Sequence, residues 1–457
     1  ITSCTNTSAP RNLVTAALIA RNAQARGLQR KPWVKTSFAP GSRAVEGYLA
    51  SAGLIDPLKQ MGFGIVGFAC TSCNGMSGPL PEAIENEILQ RKLSTAAVLS
   101  GNRNFNGRIH PRVTEAFIAS PALVVAYALA GSIRIDIENE PLAVDREGKP
   151  VLLAELWPDD AEVQALVTQH VRGEHFISAY ADLFGKASDN AEPVAPRFAW
   201  REDSTYIRRP PYWQKDLTTP PRADAMRAIV ILGDNVTTDD LSPSGAILPE
   251  SAAGQFLLAH QVTKENFNSY GTHRGDHVVA VRATFANNRL KNEMCPGLEG
   301  SITRLEPEGT VMPLFDAAQK YVERGQELIV IAGKNYGCGS SRDWAAKGVR
   351  LLGVRIVVAE TFERIHRTNL VGMGVLPLEF MPGTTRKTLN LDGSELYAIE
   401  GFNGAPKPGE QLTLIITRPE GTVTRVPVRS RIDTDDERDM FDAGGLLPRI
   451  AGELRAN

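Results

Sequence analysis

Short apolar runs that end at a cysteine or at a polar, glycine-containing loop constrain this chain more than any other feature of its sequence. Residues 64–69 lead directly into Cys70, and Ala96–Leu99 lead into Ser100. Short continuous runs of this kind are typical of strands buried on both faces of a parallel sheet, which needs helices to cover it. A helix is predicted over Pro121–Ala130, with a serine cap before it and proline in its first turn. The pattern therefore predicts an α/β fold.

Three stretches of different character predict the domain organisation. Residues 1–135 alternate strand and helix patterns and are predicted to form one α/β domain. Residues 136–225 are acidic and then proline-rich, a composition that stops helices and stiffens an extended path, so a long linker is predicted there. Residues 226–457 contain several strand candidates, among them 277–285 and Leu328–Ala332, and few helices. They are predicted to form a mixed β/α domain.

Charge and cysteine content argue against several classes of protein. The chain has 50 Lys+Arg and 52 Asp+Glu, a formal charge of −2. This balance argues against a dedicated nucleic-acid or anionic-membrane binder. The longest apolar run, residues 121–130, is far shorter than the roughly 20 residues that span a bilayer. Five cysteines in 457 residues cannot form a disulfide framework, so a reducing, cytoplasmic location is predicted.

Cysteine placement is the first signal of chemistry. Cys70 and Cys73 form a C-x-x-C pair, which suits a redox pair, half of a zinc site or two ligands of an iron–sulfur cluster. The Gly- and Pro-rich continuation argues against a redox pair, and the sequence has no second C-x-x-C for zinc. Together with Cys4, three thiolates with a fourth corner left open would suit a cubane cluster whose unique iron binds substrate. Three buried structural thiols are the alternative.

Two glycine-containing loops carry candidate anion ligands. The loop at residues 100–108 has two arginines, whose planar guanidinium groups suit a di- or tricarboxylate; two solvated surface arginines are the alternative. The loop at residues 336–344 places Ser340 and Arg342 between a strand and a helix. A serine beside backbone N–H groups and an arginine could act as a general base, the alternative being a simple helix N-cap.

In order along nearly the whole chain, eight segments resemble the aconitase family of [4Fe-4S] hydro-lyases. They are ITSCTNTSAP, ACTSCNGMSGPLPE, VLSGNRNFNGRIHP, SPALVVAYALAG, GDNVTTDDLSPSG, NSYGTHRGDH, YGCGSSRDWAAKG and ERIHRTNLVGMGVLPLEF. The resemblance implies an aconitase-like α/β fold: the last α/β domain of the cluster-binding core, a long linker, and a mobile C-terminal β/α (swivel) domain that closes the site.

The resemblance also implies roles for individual residues. The implied ligands of the [4Fe-4S] cluster are Cys4, Cys70 and Cys73. The residues implied to bind or position the carboxylates of a small tricarboxylate substrate are Asn102, Arg103, Arg108, Asp239, Arg274, Ser341 and Arg342. Ser340 is implied to be the base that removes the carbon-bound proton. The cluster iron without a cysteine would act as a Lewis acid on the substrate.

Departures from the family pattern give further expectations. Asp240 stands where the family usually has histidine, and Cys338 occupies a variable position with no ligand role. The family's Asp–His and Glu–His pairs, which protonate the leaving hydroxyl, precede the first cluster cysteine and have no counterpart in this sequence. The chain is therefore expected to be the C-terminal portion of a parent enzyme, to need the N-terminal half as a partner, and alone to bind a cluster poorly and be inactive.

Within the family, four segments resemble the branch that dehydrates 2-methylcitrate to a methyl-aconitate in the methylcitrate cycle of propionate breakdown. They are CNGMSG, THRGDH, RATFANNRLKNEM and RIDTDDERDMFDAGGLLPRIAGEL. Isomerisation of citrate and isocitrate through cis-aconitate is the alternative, since one extra methyl group changes binding by only about 1–3 kcal/mol. A cluster-free RNA-binding regulator, as some family members are, is a third hypothesis, and the near-zero net charge argues against it.

Overall fold

The computed structural model describes residues 1–3, 9–101, 109–181, 198–211, 219–339 and 342–456, which divide into two units, 1–198 and 199–457. The helices are α1 Pro10–Ala25, α2 Arg43–Ser51, α3 Ile55–Gln60, α4 Glu82–Arg91, α5 Pro121–Ala130, α6 Leu153–Leu156, α7 Asp160–His170, α8 Gly173–Tyr180, α9 Thr238–Leu241, α10 Ala252–Ala259, α11 His277–Arg282, α12 Leu314–Glu323, α13 Trp344–Leu351, α14 Arg364–Gly372, α15 Asp435–Asp442 and α16 Leu446–Ala456. The strands are β1 Ala96–Leu99, β2 Glu115–Ile118, β3 Ala143–Val144, β4 Pro150–Val151, β5 Met226–Ile231, β6 Ile302–Leu305, β7 Thr310–Pro313, β8 Leu328–Ala332, β9 Val354–Ala359, β10 Leu376–Phe380, β11 Leu396–Ile399, β12 Gln411–Thr417 and β13 Val423–Ser430. None of the helices in these ranges has the length and apolar character needed to cross a membrane.

The core of the first unit is built around helix α1. This helix packs against α5, whose predicted bounds are confirmed and whose cap is Ser120, with its hydroxyl accepting a hydrogen bond from the backbone of Leu123. Leu156 and Val163 belong to the same core. The first part of the segment predicted as a linker therefore packs into the first unit.

Parallel strand pairs in the first unit are short. Strands β1 and β2 pair in parallel, and single parallel bridges join Thr2 to Ala39 and Phe38 to Ile65. The predicted strand at residues 64–69 is thus reduced to one bridging residue. Its two glycines offer no side chains to pack, and such positions weaken a strand.

Seven strands of the second unit close into a barrel in the order β10-β13-β12-β11-β5-β8-β9. Strands β5, β8, β9 and β10 are parallel to one another, whereas β11, β12 and β13 pair in antiparallel fashion. The predicted strand Leu328–Ala332 is confirmed, and all of its residues are buried. Ile329 and Ile331 belong to one core, while Leu328 and Val330 belong to the other, together with helix α13. Burial of both faces explains why this strand is a continuous apolar run.

One predicted strand of the second unit is wrong. Residues 277–285 contain helix α11, His277–Arg282, rather than a strand. The side chain of Asp276 caps this helix by accepting a hydrogen bond of 2.8 Å from the Val278 backbone. A short apolar run fits either conformation, and the N-terminal cap favours the helix here.

Candidate functional site

In the first unit, Thr2 ties together three chain segments that precede predicted site residues. Its hydroxyl donates to the carbonyl of Ala69, at 3.1 Å, directly before Cys70. Its backbone N–H donates to the Ser100 hydroxyl at 3.1 Å, and that hydroxyl donates to the Thr2 carbonyl at 2.8 Å. The segments that lead into Cys4, Cys70 and the loop at 100–108 therefore end side by side.

A tight turn carries the C-x-x-C pair. The thiol of Cys70 is exposed and free, and the Cys70 carbonyl accepts a 2.9 Å hydrogen bond from the backbone of Asn74. Residues Ser72–Asn74 form a 3₁₀ turn, which ends at Gly75 with φ 74°. The three-residue spacing of the pair matches one turn of a 3₁₀ helix.

Several predicted residues lie outside the described parts of the structure. They are Cys4, the side chain of Cys73, Asn102, Arg103, Arg108, Ser340 and Ser341. Among the described residues, no group of three or more His, Cys, Asp or Glu side chains could hold a metal ion. The three cysteines implied as cluster ligands therefore remain a prediction.

Lys35 is a further contributor to this region that the sequence did not reveal. Its ammonium group donates to the carbonyl of Pro79 at 2.9 Å and to that of Gly78. Burial lowers the pKa of Lys35 to about 8. Lys35 thus fastens the end of the loop that begins at Cys70. No pattern in the sequence around Lys35 signals these contacts.

In the second unit, Asp239 and Arg342 form a buried ion pair of 2.6 Å, in which the side chains are 7% and 6% exposed. Arg342 also donates to the carbonyl of Ser242 at 2.8 Å. The structure thus brings together two residues that are 103 positions apart and were both predicted to bind substrate. A guanidinium held in this way is oriented before any ligand binds.

Single β-bridges link the segments that carry this ion pair and Arg274. The segments after strands β5 and β8 are joined by a parallel bridge between Thr237 and Cys338. The segment that contains Arg274 is joined to the segment after β5 by a bridge between Ala246 and Ser269. The side chain of Arg274 is exposed, on a turn at residues 271–275. The predicted arginine and the ion pair therefore belong to one connected group of loops.

Asp240, which stands where the family usually has histidine, is held by several hydrogen bonds in this chain. Its carboxylate accepts hydrogen bonds from the Thr237 backbone at 2.8 Å and the Thr237 hydroxyl at 2.7 Å. The amide of Asn287 donates to its other oxygen at 2.9 Å. Burial raises the pKa of Asp240. Asp240 therefore caps helix α9, which carries Asp239; the T-x-x-D spacing was the signal for this capping box.

The loop that leads to Ser340 is shaped by glycine. Gly337 has φ 81°, and a Cβ at this position would overlap the ring of His366. His366 is buried, and burial lowers its pKa to about 3, so it is a neutral part of the core. The thiol of Cys338 points at the carbonyl of Asn235 at 3.5 Å, and burial raises its pKa. A protonated thiol of this kind is a weak nucleophile.

Comparisons with known proteins agree with these features. Residues 1–131 match the profile described as "Aconitase family (aconitate hydratase)", and residues 253–383 match "Aconitase C-terminal domain". The chain belongs to the aconitase family.

Individual relatives carry two different names. Aconitate hydratase A of Cupriavidus necator is 56% identical over 451 residues, which is 98% of this chain and 52% of that protein. A 2-methylcitrate dehydratase (2-methyl-trans-aconitate forming) of Shewanella oneidensis is 56% identical over 458 residues, 99% of this chain and 52% of that protein. Aconitate hydratase A of Escherichia coli is 50% identical over 453 residues, 98% of this chain and 51% of that protein. The chain spans about half the length of the curated relatives it matches.

A solved structure, 3-isopropylmalate dehydratase (leuD) of Methanocaldococcus jannaschii, shares 19% identity with this chain and covers 51% of it and 95% of its own length. Its TM-score is 0.30.

Proposed function

We propose that this chain is part of an iron–sulfur hydro-lyase that dehydrates 2-methylcitrate to a methyl-aconitate. The observation that carries the proposal is the convergence at Thr2, which places the ends of the segments leading to two cysteine positions and to the arginine loop side by side. Family membership supports the class of reaction. In this proposal the enzyme works in the cytoplasm, within the methylcitrate cycle of propionate breakdown.

The donor set fits an iron–sulfur cluster. Thiolates are the ligands that such clusters take, and Cys70 is exposed and free rather than held in a disulfide. We assign Cys4, Cys70 and Cys73 as the ligands. When bound, the cluster would supply a Lewis acid at the iron that no cysteine occupies.

The chain's own residues would bind and orient the substrate anion. Arg342 is fixed by Asp239 and by the Ser242 carbonyl, so it would meet a carboxylate with little loss of side-chain freedom. Arg274, on its exposed turn, would hold a second carboxylate. Arg103 and Arg108 would do so from the first unit, with Asn102 and Ser341 as further polar contacts.

Ser340 would act as the base. In the dehydration, its oxygen takes the carbon-bound proton while the hydroxyl group leaves from the neighbouring carbon and a C=C bond forms. Gly337 and Gly339, with φ 81° and 104°, give the preceding loop a backbone path that residues with a Cβ rarely adopt. In this proposal the barrel unit also swivels, so that closure excludes water.

The substrate preference rests on the sequence segments that resemble the 2-methylcitrate branch. The relatives do not separate the two substrates, because one relative of each name is 56% identical to this chain. Citrate and isocitrate, the substrates implied by the name aconitate hydratase, form the second candidate. The ratio of the two kcat/KM values, for 2-methylcitrate and for citrate, decides between them.

Turnover in this proposal needs a partner segment that corresponds to the remaining half of the relatives' length, since the resemblance assigns the acids that protonate the leaving hydroxyl to that half. Rates measured for this chain alone and with that segment supplied in trans test the requirement. Rates typical of enzymes from the chain alone would contradict it.

Cluster binding is tested by iron and sulfide analysis after anaerobic reconstitution of the full chain. With the partner segment supplied, we expect about four irons per wild-type chain and a sharp loss in Cys70→Ser. Cys338→Ser is the matched control, because Cys338 is a free, partly exposed thiol to which no ligand role is assigned. Equal iron content in both variants would refute the assignment of Cys70.

A further inference from the structure

A short segment of the predicted linker is docked on the turn that carries Arg274. We call residues 204–208 the clasp. Ile207 forms a parallel bridge with Gly275, and the Arg208 backbone donates to the Gly275 carbonyl at 3.0 Å. The guanidinium of Arg208 pairs with the buried carboxylate of Asp276 at 3.2 Å. Gly275 is required for this approach, because a Cβ there would lie 2.6 Å from the Tyr206 carbonyl oxygen.

His273 lies at the centre of this contact and is completely buried. Its Nδ1 is hydrogen-bonded to the carbonyl of Thr205 in the clasp. Its Nε2 is 2.9 Å from the carbonyl of Phe267, on the other side of the ring. The ring of Tyr206 stacks on the imidazole, with centroids 4.5 Å apart and an angle of 19° between the planes.

The two carbonyl partners of His273 favour one protonation state of its imidazole. A carbonyl oxygen only accepts hydrogen bonds, and a neutral imidazole has only one N–H to donate. In the neutral form, one ring nitrogen would therefore direct its lone pair at a carbonyl oxygen, and one buried acceptor would lose its donor. The imidazolium donates to both carbonyls, so the positive form joins the clasp to the Arg274 turn.

Charged groups lie on the same turn as His273 and on the segments that pack against it. Asp276 is on the same turn and fully buried, and its backbone N–H donates to the His273 carbonyl at 2.9 Å. The titratable and charged groups on the elements packed against His273 lie on three segments. They are Tyr206 and Arg208 of the clasp, Tyr270, Arg274, Asp276 and His277 of its own turn and the following helix, and Lys264 and Glu265 before Phe267.

We propose that His273, as the imidazolium, is a positioning residue that fixes Arg274 for substrate by joining its turn to the clasp. His273 directly precedes Arg274 in the chain, so its two hydrogen bonds set the backbone from which the arginine extends. The role in substrate binding rests on the proposed function; the imidazolium and the clasp do not.

The protonation state is measured on the full chain with ¹⁵N-labelled histidine between pH 5.5 and 8.5. We expect one of the seven histidines to show two ring N–H protons that are protected from exchange with water, a pair of signals that is lost in His273→Gln. In His273→Gln, hydrogen exchange at the Arg208 amide should accelerate by at least about tenfold over the wild type at the same pH. A single protonated nitrogen throughout, with unchanged exchange, would overturn the proposal.

His260→Gln is the matched control, because His260 is exposed and its Nδ1 faces only the Phe256 carbonyl, at 2.9 Å. It should leave clasp exchange unchanged. Should His273→Gln not fold, Tyr206→Ala replaces it as the test, since Tyr206 is 45% exposed and covers the His273 ring. Tyr206→Ala should accelerate clasp exchange in the same direction; no change would count against the proposal.

Binding of 2-methylcitrate to the full chain tests the consequence for Arg274. We expect His273→Gln to weaken binding by about tenfold at pH 6 and to have no added effect in an Arg274→Ala background. Additive effects of the two substitutions would overturn positioning through Arg274. If the wild type binds neither 2-methylcitrate nor citrate while the clasp signals are present, the proposed function and the substrate role of His273 fail, and the imidazolium clasp stands.

Discussion

The two candidate sites are held together by different forces. In the first unit, Thr2 joins the segments that lead to the cysteines and arginines through hydrogen bonds between neutral groups, and the Cys70 thiol is exposed. In the second unit, the charged groups of Asp239 and Arg342 are buried against each other. A neutral hydrogen bond contributes about 1 kcal/mol, whereas removing one member of a buried ion pair strands a charge. The second site is thus the more rigidly prearranged of the two.

Breaking the buried ion pair should have the largest effect. Arg342→Ala leaves the Asp239 carboxylate in the interior without its cation, and we expect the free energy of unfolding of the second unit to fall by about 3–5 kcal/mol. Urea unfolding monitored by circular dichroism measures it. The control is Arg201→Ala, which removes an ion pair whose side chains are 76% and 71% exposed and should cost less than about 0.5 kcal/mol. Equal losses in both variants would show that the buried pair is not what stabilises this site.

The next largest effect is expected at Gly337, in the loop that leads to the predicted base Ser340. Gly337→Ala combines a left-handed backbone with overlap of the His366 ring, so we expect a loss of about 2–4 kcal/mol. Gly383→Ala is the control, because Gly383 has a similar φ of 88° and no atom within 4 Å of the added Cβ. Only the backbone cost of about 1 kcal/mol is expected there. Thermal unfolding of both variants separates the contact with His366 from the backbone strain.

The sequence predicted local elements well wherever local chemistry determines them. Helix Pro121–Ala130 has its own serine cap and proline, and strand Leu328–Ala332 is apolar on both faces. The strand at 277–285 was wrong because a short apolar run fits two conformations, and the decisive cap, Asp276, lies outside the run. Cap residues just before an apolar run would have been the better guide.

The candidate site was predictable in its residue types and not in its contacts. Asp239 and Arg342 were both predicted, but their pairing across 103 positions depends on how the strands of the barrel are arranged. His273 and Lys35 were not predicted to act at a site, because their importance comes from burial and from carbonyl partners far along the chain. Neither burial nor such partners leave a pattern in one sequence.

A smaller effect is expected at Thr2, whose hydrogen bonds join three segments of the first unit. Thr2→Val keeps the shape of the side chain but leaves the Ala69 carbonyl without its donor, so we expect a loss of about 1–2 kcal/mol. Hydrogen exchange should rise at the turn that begins at Cys70. Thr15→Val is the control, since the Thr15 hydroxyl bonds only the Arg11 carbonyl of its own exposed helix turn. If exchange at the Cys70 turn were unchanged, the Thr2 contacts would not be what holds the loop.

The effect expected at Lys35 is one of pH dependence. Burial lowers the pKa of Lys35 from 10.5 in the unfolded chain to about 8. Between these values the unfolded chain binds more protons than the folded one, so this group makes stability rise as the pH increases from about 8 to 10.5. Lys35→Met should remove that rise, and the difference between variant and wild type in urea unfolding at pH 7.5, 9 and 10 measures it. Lys59→Met, at an exposed lysine, should follow the wild type at every pH. A Lys35→Met curve parallel to wild type would mean that the ammonium of Lys35 is not desolvated by its contacts with Gly78 and Pro79.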